Sequence, residues 1–168
     1  MRRLVIIAAI GFSAFPQNSA PVEIAAAILH GHNRLRAVHH VTDLVYDDAL
    51  VIYAQNWASH LAATGTFEHS QGPYGENLYC LSSAAPVGLL DAAISAIDAW
   101  AGEVVFYHEG DGFSHKTGHF TQMVWKNSRR LGCATARSKR GGRDSVYVVC
   151  NYDPPGNVSG EFRRNVLP

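Results

Sequence analysis

The run SVYVVCN, residues 145–151, constrains the fold more than any other stretch of the chain. Strand side chains alternate between faces, so Val146, Val148 and Cys150 share one face while Tyr147 and Val149 share the other. Both faces are apolar, and such a strand has to be covered on both sides. LGCATA, residues 131–136, is a second strand-like run. RSKRGGRD, residues 137–144, lies between the two and reads as a hairpin loop turning at Gly141-Gly142.

The cover has to come from upstream, where three segments carry apolar residues at a helical period. The first has Val22, Ala25, Leu29 and Leu35, with Pro21 suited to an opening turn. The second has Leu50, Ala54, Trp57, Ala58 and Leu61, with Asp47 or Asp48 as N-cap. The third has Leu90, Ala93, Ile94, Ile97, Trp100, Ala101 and Val104. Residues 65–86 are too rich in Gly, Pro and Ser for a long helix, although ENLYC within them suits a short strand. Helices grouped before antiparallel strands predict an α+β fold: a three-layer α-β-α sandwich with a small central antiparallel sheet. At 168 residues, without repeats, low-complexity tracts or a linker, the chain reads as one domain over residues 21–168.

Residues 1–20 read as a secretory signal peptide. Arg2 and Arg3 form a charged start, Leu4–Ile10 is an unbroken apolar run, and small residues follow up to Ala20. The run is too short to span a bilayer, so no transmembrane anchor is expected, and the mature chain is expected outside the cell. The cleavage site is placed no more closely than between Ser13 and Ala20. In an oxidising compartment Cys133 and Cys150, one on each strand of the hairpin, suit a disulfide. Cys80 is left as a buried free thiol or an intermolecular link.

Charge is balanced overall, 14 basic against 14 acidic residues, but segregated. No Lys or Arg occurs from Ala37 to His115, and seven basic residues without an acid lie from Lys126 to Arg143. The basic stretch has no aromatic suited to base stacking, so it reads as a solvated hairpin edge and no nucleic-acid partner is expected. There is no G-x-S-x-G elbow, no zincin H-E-x-x-H and no glycine-rich phosphate loop.

Two longer stretches carry a resemblance. GHFTQMVWKNS (residues 118–128) and YVVCNYDPPGNV (147–158) look like the signatures of the CAP superfamily of cysteine-rich secretory, antigen five and pathogenesis-related proteins. HNRLR at 32–36, AQNWA at 54–58, EHSQGPYGENL at 68–78 and W-x-x-E at 100–103 agree in order. The ending GNVSGEF, followed by NVLP, is most similar to fungal members. The resemblance implies a central cleft with His69, Glu76, Glu103 and His119, able to hold Zn²⁺ or another divalent metal as an optional, non-obligatory cofactor. It implies a secreted binding protein for sterols or fatty acids, with the uncharged segment after GEN as a lipid-binding loop: Leu78, Tyr79, Leu81, Val87, Leu89 and Leu90. No catalytic residue is assigned. The alternatives are a metal-dependent hydrolase or protease using the two His and two Glu, or a defence effector acting through a host or cell-wall partner. Asn157 stands in an N-V-S glycosylation sequon inside the second signature, where the fold restricts access.

Overall fold

The computed structural model describes residues 19–168; the leader reading of the N-terminus falls outside them except for Ser19 and Ala20, which open the first helix. The elements in chain order are α1 (Ser19–Val38), β1 (Val45–Tyr46), α2 (Asp48–Thr64), β2 (Gly75–Ser83), α3 (Leu89–Gly102), a 3₁₀ turn (Glu103–Phe106), α4 (Gly118–Met123), β3 (Arg130–Arg140), β4 (Arg143–Asp153) and α5 (Phe162–Asn165). The strands form one sheet in the order β1-β3-β4-β2.

β4 is central and behaves as its sequence requires. Val146, Val148, Cys150 and Tyr152 pack with Ile24 and Ile28 of α1 and with Ala93, Ile97 and Trp100 of α3. Tyr147 and Val149 pack on the opposite face with Ala54, Ala58 and Leu61 of α2. Each of these buried valines contributes roughly 1.5–3 kcal/mol, so one seven-residue run anchors both helical layers. The sheet is mixed rather than wholly antiparallel, because β1, which the sequence did not announce, pairs parallel to β3. The hairpin is longer than expected: strand pairing continues to Arg140↔Arg143, and only Gly141 and Gly142 turn. Both have positive φ (58° and 72°), as a two-residue turn matched to strand twist demands.

Cys133 and Cys150 stand directly opposite each other across β3–β4 and are bridged. Cys80 is a free, half-buried thiol on β2, and burial pushes its pKa up.

The helices occur where the apolar period placed them, with corrections to the faces. Asp47 caps α2, its Oδ1 accepting from the Ala49 and Leu50 amides at 2.9 and 3.1 Å. In α1 the buried stripe is Ile24, Ile28, His32 and Arg36 at steps of four, while Val22 is exposed. Two polar residues lie on the buried face because each finds partners there. Arg36 donates to the carbonyls of Thr42, Met123, Trp125 and Ser128, tying α1 to the end of α4. In α3, Ala92 and Ala96 are buried, whereas Leu90 and Ile94 face outward. Among the described residues, no helix is long and apolar enough to cross a membrane.

Candidate functional sites

The first site lies at one end of the sandwich, where β2 leaves the sheet edge and α4 begins. His69 precedes β2, and its Nδ1–H donates to Glu76 Oε1 at 2.8 Å. Glu76 also accepts from the Ser70 amide (2.9 Å), the Ser70 hydroxyl (2.6 Å) and the Asn151 side chain (3.3 Å). Burial alone would push this carboxyl up, but those hydrogen bonds outweigh it and hold it below the usual range. The hydrogen bond that His69 donates to Glu76 raises the histidine's pKa, and the charge of Glu76 adds to the effect against partial burial. The two halves of the pair are unequally covered, with side-chain exposures of 59% for His69 and 5% for Glu76.

The second pair has the same form. His119 Nδ1–H donates to Glu103 Oε1 at 2.6 Å, and Glu103 Oε2 accepts from the His119 and Phe120 amides at 3.0 and 3.1 Å. Glu103, at the end of α3, thus supplies a carboxylate to the unpaired N–H groups that open α4. Trp100 stacks on the His119 ring with centroids 5.9 Å apart. His69, Glu76 and His119 line one cleft of about 120 Å³ together with Asn77, Phe113, His115 and Asn157; Glu103 supports His119 from behind. Phe113, His115 and Asn157 were not singled out for this cleft by the sequence. Asn157 Nδ2 donates to the Gly118 carbonyl (2.8 Å) and its Oδ1 accepts from Thr121 (2.6 Å), so a glycan there would break an internal tie.

Both carboxylates face N–H donors, and each imidazole has its Nδ1 engaged. Within the two His–Glu pairs, the donors left for a metal are the two Nε2 atoms. Among the described residues, no three His, Cys, Asp or Glu side chains are grouped to hold an ion. The two pairs therefore do not present four protein ligands: each glutamate is engaged in orienting an imidazole.

The second site is apolar. The expected lipid-binding loop is largely strand: Leu78–Ser83 belongs to β2 and pairs residue by residue with β4. Leu78 and Cys80 face α2, whereas Tyr79 and Leu81 face α1 and α3 with Val87 and Leu89, so strand alternation separates Leu78 from the other side chains. Val87 is buried and Leu90 faces outward on α3. Leu89 lines an apolar pocket that lies at the opposite edge of the sheet from β2. β1 ends after two residues and leaves the rest of β3 without a strand neighbour on that side, while β4 pairs it on the other. α1 contributes Pro21, Ile24 and Ala25 around this edge, α2 contributes Val51 and Gln55, and Tyr46 and Cys133–Thr135 complete a pocket of about 260 Å³. The exposed strand edge is satisfied in part by side chains. Tyr46 OH donates to the Cys133 carbonyl and accepts from its amide, and Gln55 Nε2 donates to the Thr135 carbonyl at 3.3 Å. Leu89 is the one lining residue that the expected lipid-binding loop included; the others were not marked for a ligand, because the pocket exists only where a strand is missing.

Comparison with known proteins agrees with this architecture. Residues 29–152 match the CAP, or cysteine-rich secretory protein, family. Protein PRY2 of Saccharomyces cerevisiae is 38% identical over 148 residues, which cover 87% of this chain and 42% of PRY2. Pathogenesis-related protein 1A of Nicotiana tabacum is 44% identical over 137 residues, covering 79% of this chain and 76% of the relative. The crystal structure of NaASP2 with Zn²⁺ superposes with a TM-score of 0.66 at 29% identity, covering 86% of each chain. With its signatures on α4 and β4 and an α-β-α sandwich around them, this chain belongs to the CAP family of cysteine-rich secretory proteins.

Proposed function

We propose that this protein is a secreted carrier of small hydrophobic lipids, taken up in the pocket at the open edge of β3. The observation that carries the reading is the lining: ten residues from both helical layers and the sheet, none of them charged. A lipid site needs a concave apolar surface with a few polar groups for orientation, and this pocket has that composition. Its 260 Å³ holds about nine groups of methylene or water size at roughly 30 Å³ each. That suits the tail of a single acyl or alkyl chain better than the fused rings of a sterol. Membership of a secretory family supports an extracellular site of action.

The test is direct binding of fatty acids, long-chain alcohols and sterols to delipidated protein, in competition with a fluorescent single-chain probe. Ala25→Trp, which fills the pocket from α1, should weaken binding about tenfold or more, a loss of roughly 1.4 kcal/mol, while circular dichroism stays unchanged. Wild-type protein that binds none of these lipids, or a folded Ala25→Trp protein that binds as well as wild type, rejects the reading.

The His–Glu cleft supports a second property. His69 and His119 would hold a divalent ion such as Zn²⁺ through Nε2, with Glu76 and Glu103 fixing the rings and solvent completing the coordination. The Zn²⁺ named for NaASP2, a structural relative, is consistent with it. Calorimetric titration with Zn²⁺ should show one site that is lost in both His69→Ala and His119→Ala. A site unaffected by either substitution would remove the cleft from consideration.

A further inference from the structure

The polar atoms at the mouth of the β3-edge pocket are unequally engaged, and the difference bears on which lipid enters. Gln55 Nε2 already donates twice, to Ser59 Oγ at 3.2 Å and to the Thr135 carbonyl at 3.3 Å. The Thr135 carbonyl can only accept, which places the amide nitrogen toward it and fixes the orientation of the side chain, and Oε1 has no protein donor among the described residues. Of the strand-edge groups, the Cys133 amide and carbonyl are closed off, since Tyr46 OH both donates to and accepts from them, whereas the Thr135 amide has no protein acceptor on this edge among the described residues. Thr135 Oγ1 also has no protein partner among the described residues, and a hydroxyl adapts to donor or acceptor alike. At Gln55 Oε1 the mouth therefore asks for a hydrogen-bond donor, while the Thr135 amide and hydroxyl can donate to an oxygen of the same ligand, so a hydroxyl satisfies both sides.

Among the described residues, no unpaired cation lines the mouth for an anionic head. The two arginines that flank this part of β3 are both paired: Arg130 with Asp47 and Asp153, and Arg137 with Asp144 and the Val87 carbonyl. From Ala37 to His115 the chain has no Lys or Arg, so α2 brings none to the mouth. A carboxylate placed there would meet the Gln55 acceptor without a counter-charge, whereas a neutral hydroxyl would satisfy it.

We infer that the pocket selects single-chain lipids with a neutral hydroxyl head, through a hydrogen bond from the ligand hydroxyl to Gln55 Oε1. This rests on the lipid-carrier reading above and specifies its ligand. The test compares 1-decanol with its methyl ether, 1-methoxydecane. The two share the chain, and both can accept from Thr135, but only the alcohol can donate. In wild-type protein decanol should displace the fluorescent probe about fivefold more effectively than the ether, the worth of one neutral hydrogen bond. In Gln55→Leu the two should become equal. Gln55→Lys, on an exposed position of α2, should instead raise the affinity for decanoate about tenfold over wild type at pH 7.5. Equal binding of alcohol and ether to wild type overturns the inference while leaving the carrier reading intact. A preference for the alcohol that survives in Gln55→Leu overturns it as well. Binding of neither compound overturns the carrier reading itself.

Discussion

The His32 imidazole and the Tyr152 hydroxyl share a 2.7 Å hydrogen bond in the core between α1 and β4, where both residues are fully shielded from solvent. His32 Nδ1–H donates to the Ile28 carbonyl at 2.8 Å, so Nε2 is the acceptor and the tyrosine donates. Tyr152 OH accepts in turn from Asn77 Nδ2, which also donates to the His119 carbonyl at the cleft. A protonated His32 would offer Tyr152 a second donor and break this order.

Acid should therefore weaken the fold through His32. Burial lowers its pKa to about 4, with the Ile28 hydrogen bond opposing and Arg36 adding to the shift. Because the unfolded chain binds the proton near 6.5, stability is complete above that pH and falls as pH drops toward 4. The loss should be about 2 kcal/mol at pH 5 and about 3 kcal/mol at pH 4. Urea midpoints across this range measure it. His32→Gln should start lower at pH 7, by about 1–3 kcal/mol, and lose this part of the pH dependence. An unchanged pH profile in that variant would contradict the assignment.

The His69–Glu76 pair should act with the opposite sign at its upper limit. The raised pKa of His69 gives a contribution that is complete below 6.5 and disappears as pH rises through the folded value. The lowered pKa of Glu76 gives one that is present above 4.5 and disappears as pH falls through the folded value. Imidazole NMR titration should place His69 above 6.5 in wild type and move it down in Glu76→Gln. An unmoved His69 would show that Glu76 is not the cause.

Reducing the Cys133–Cys150 bridge should lower stability by about 3 kcal/mol, the chain-entropy value for a loop of 17 residues. Guanidinium unfolding with and without reductant, and of the Cys133→Ala/Cys150→Ala double variant, gives this directly. Both thiols are buried in the folded chain, so reduction should need unfolding or a strong reductant.

Gly132 is where α2 rests on β3. A Cβ there would stand 2.3 Å from the Leu50 carbonyl carbon and the Val51 amide nitrogen. Both are backbone atoms and cannot turn aside. Gly132→Ala should cost about 3 kcal/mol or more, a fall in Tm of roughly 6–12 °C. Gly102→Ala, where a Cβ meets nothing within 4 Å, should leave Tm unchanged or slightly raised.

The sequence by itself determined the layering, because a run apolar on both faces, as in Val146–Cys150, can exist only between two covers. It also determined the helices on either side, the Asp47 cap and the disulfide, since period, cap chemistry and cysteine placement are local properties. The two His and two Glu of the cleft came from their signature stretches. Their pairing, His69 with Glu76 and His119 with Glu103, depends on how β2 and α4 meet the end of the sandwich. The buried face of α1 departs from its apolar period because it carries the polar His32 and Arg36, whose burial is made favourable by the Ile28 carbonyl and Tyr152 for one and by the carbonyls of Thr42, Met123, Trp125 and Ser128 for the other. Leu90 and Ile94 continue the apolar period of α3 yet face outward, since the short side chains of Ala92 and Ala96 let the helix approach the core from its other side. The pocket at β3 lay furthest from the sequence. It arises where β1 stops pairing, and the end of a strand pair is set by packing between distant segments rather than by any residue's own preference.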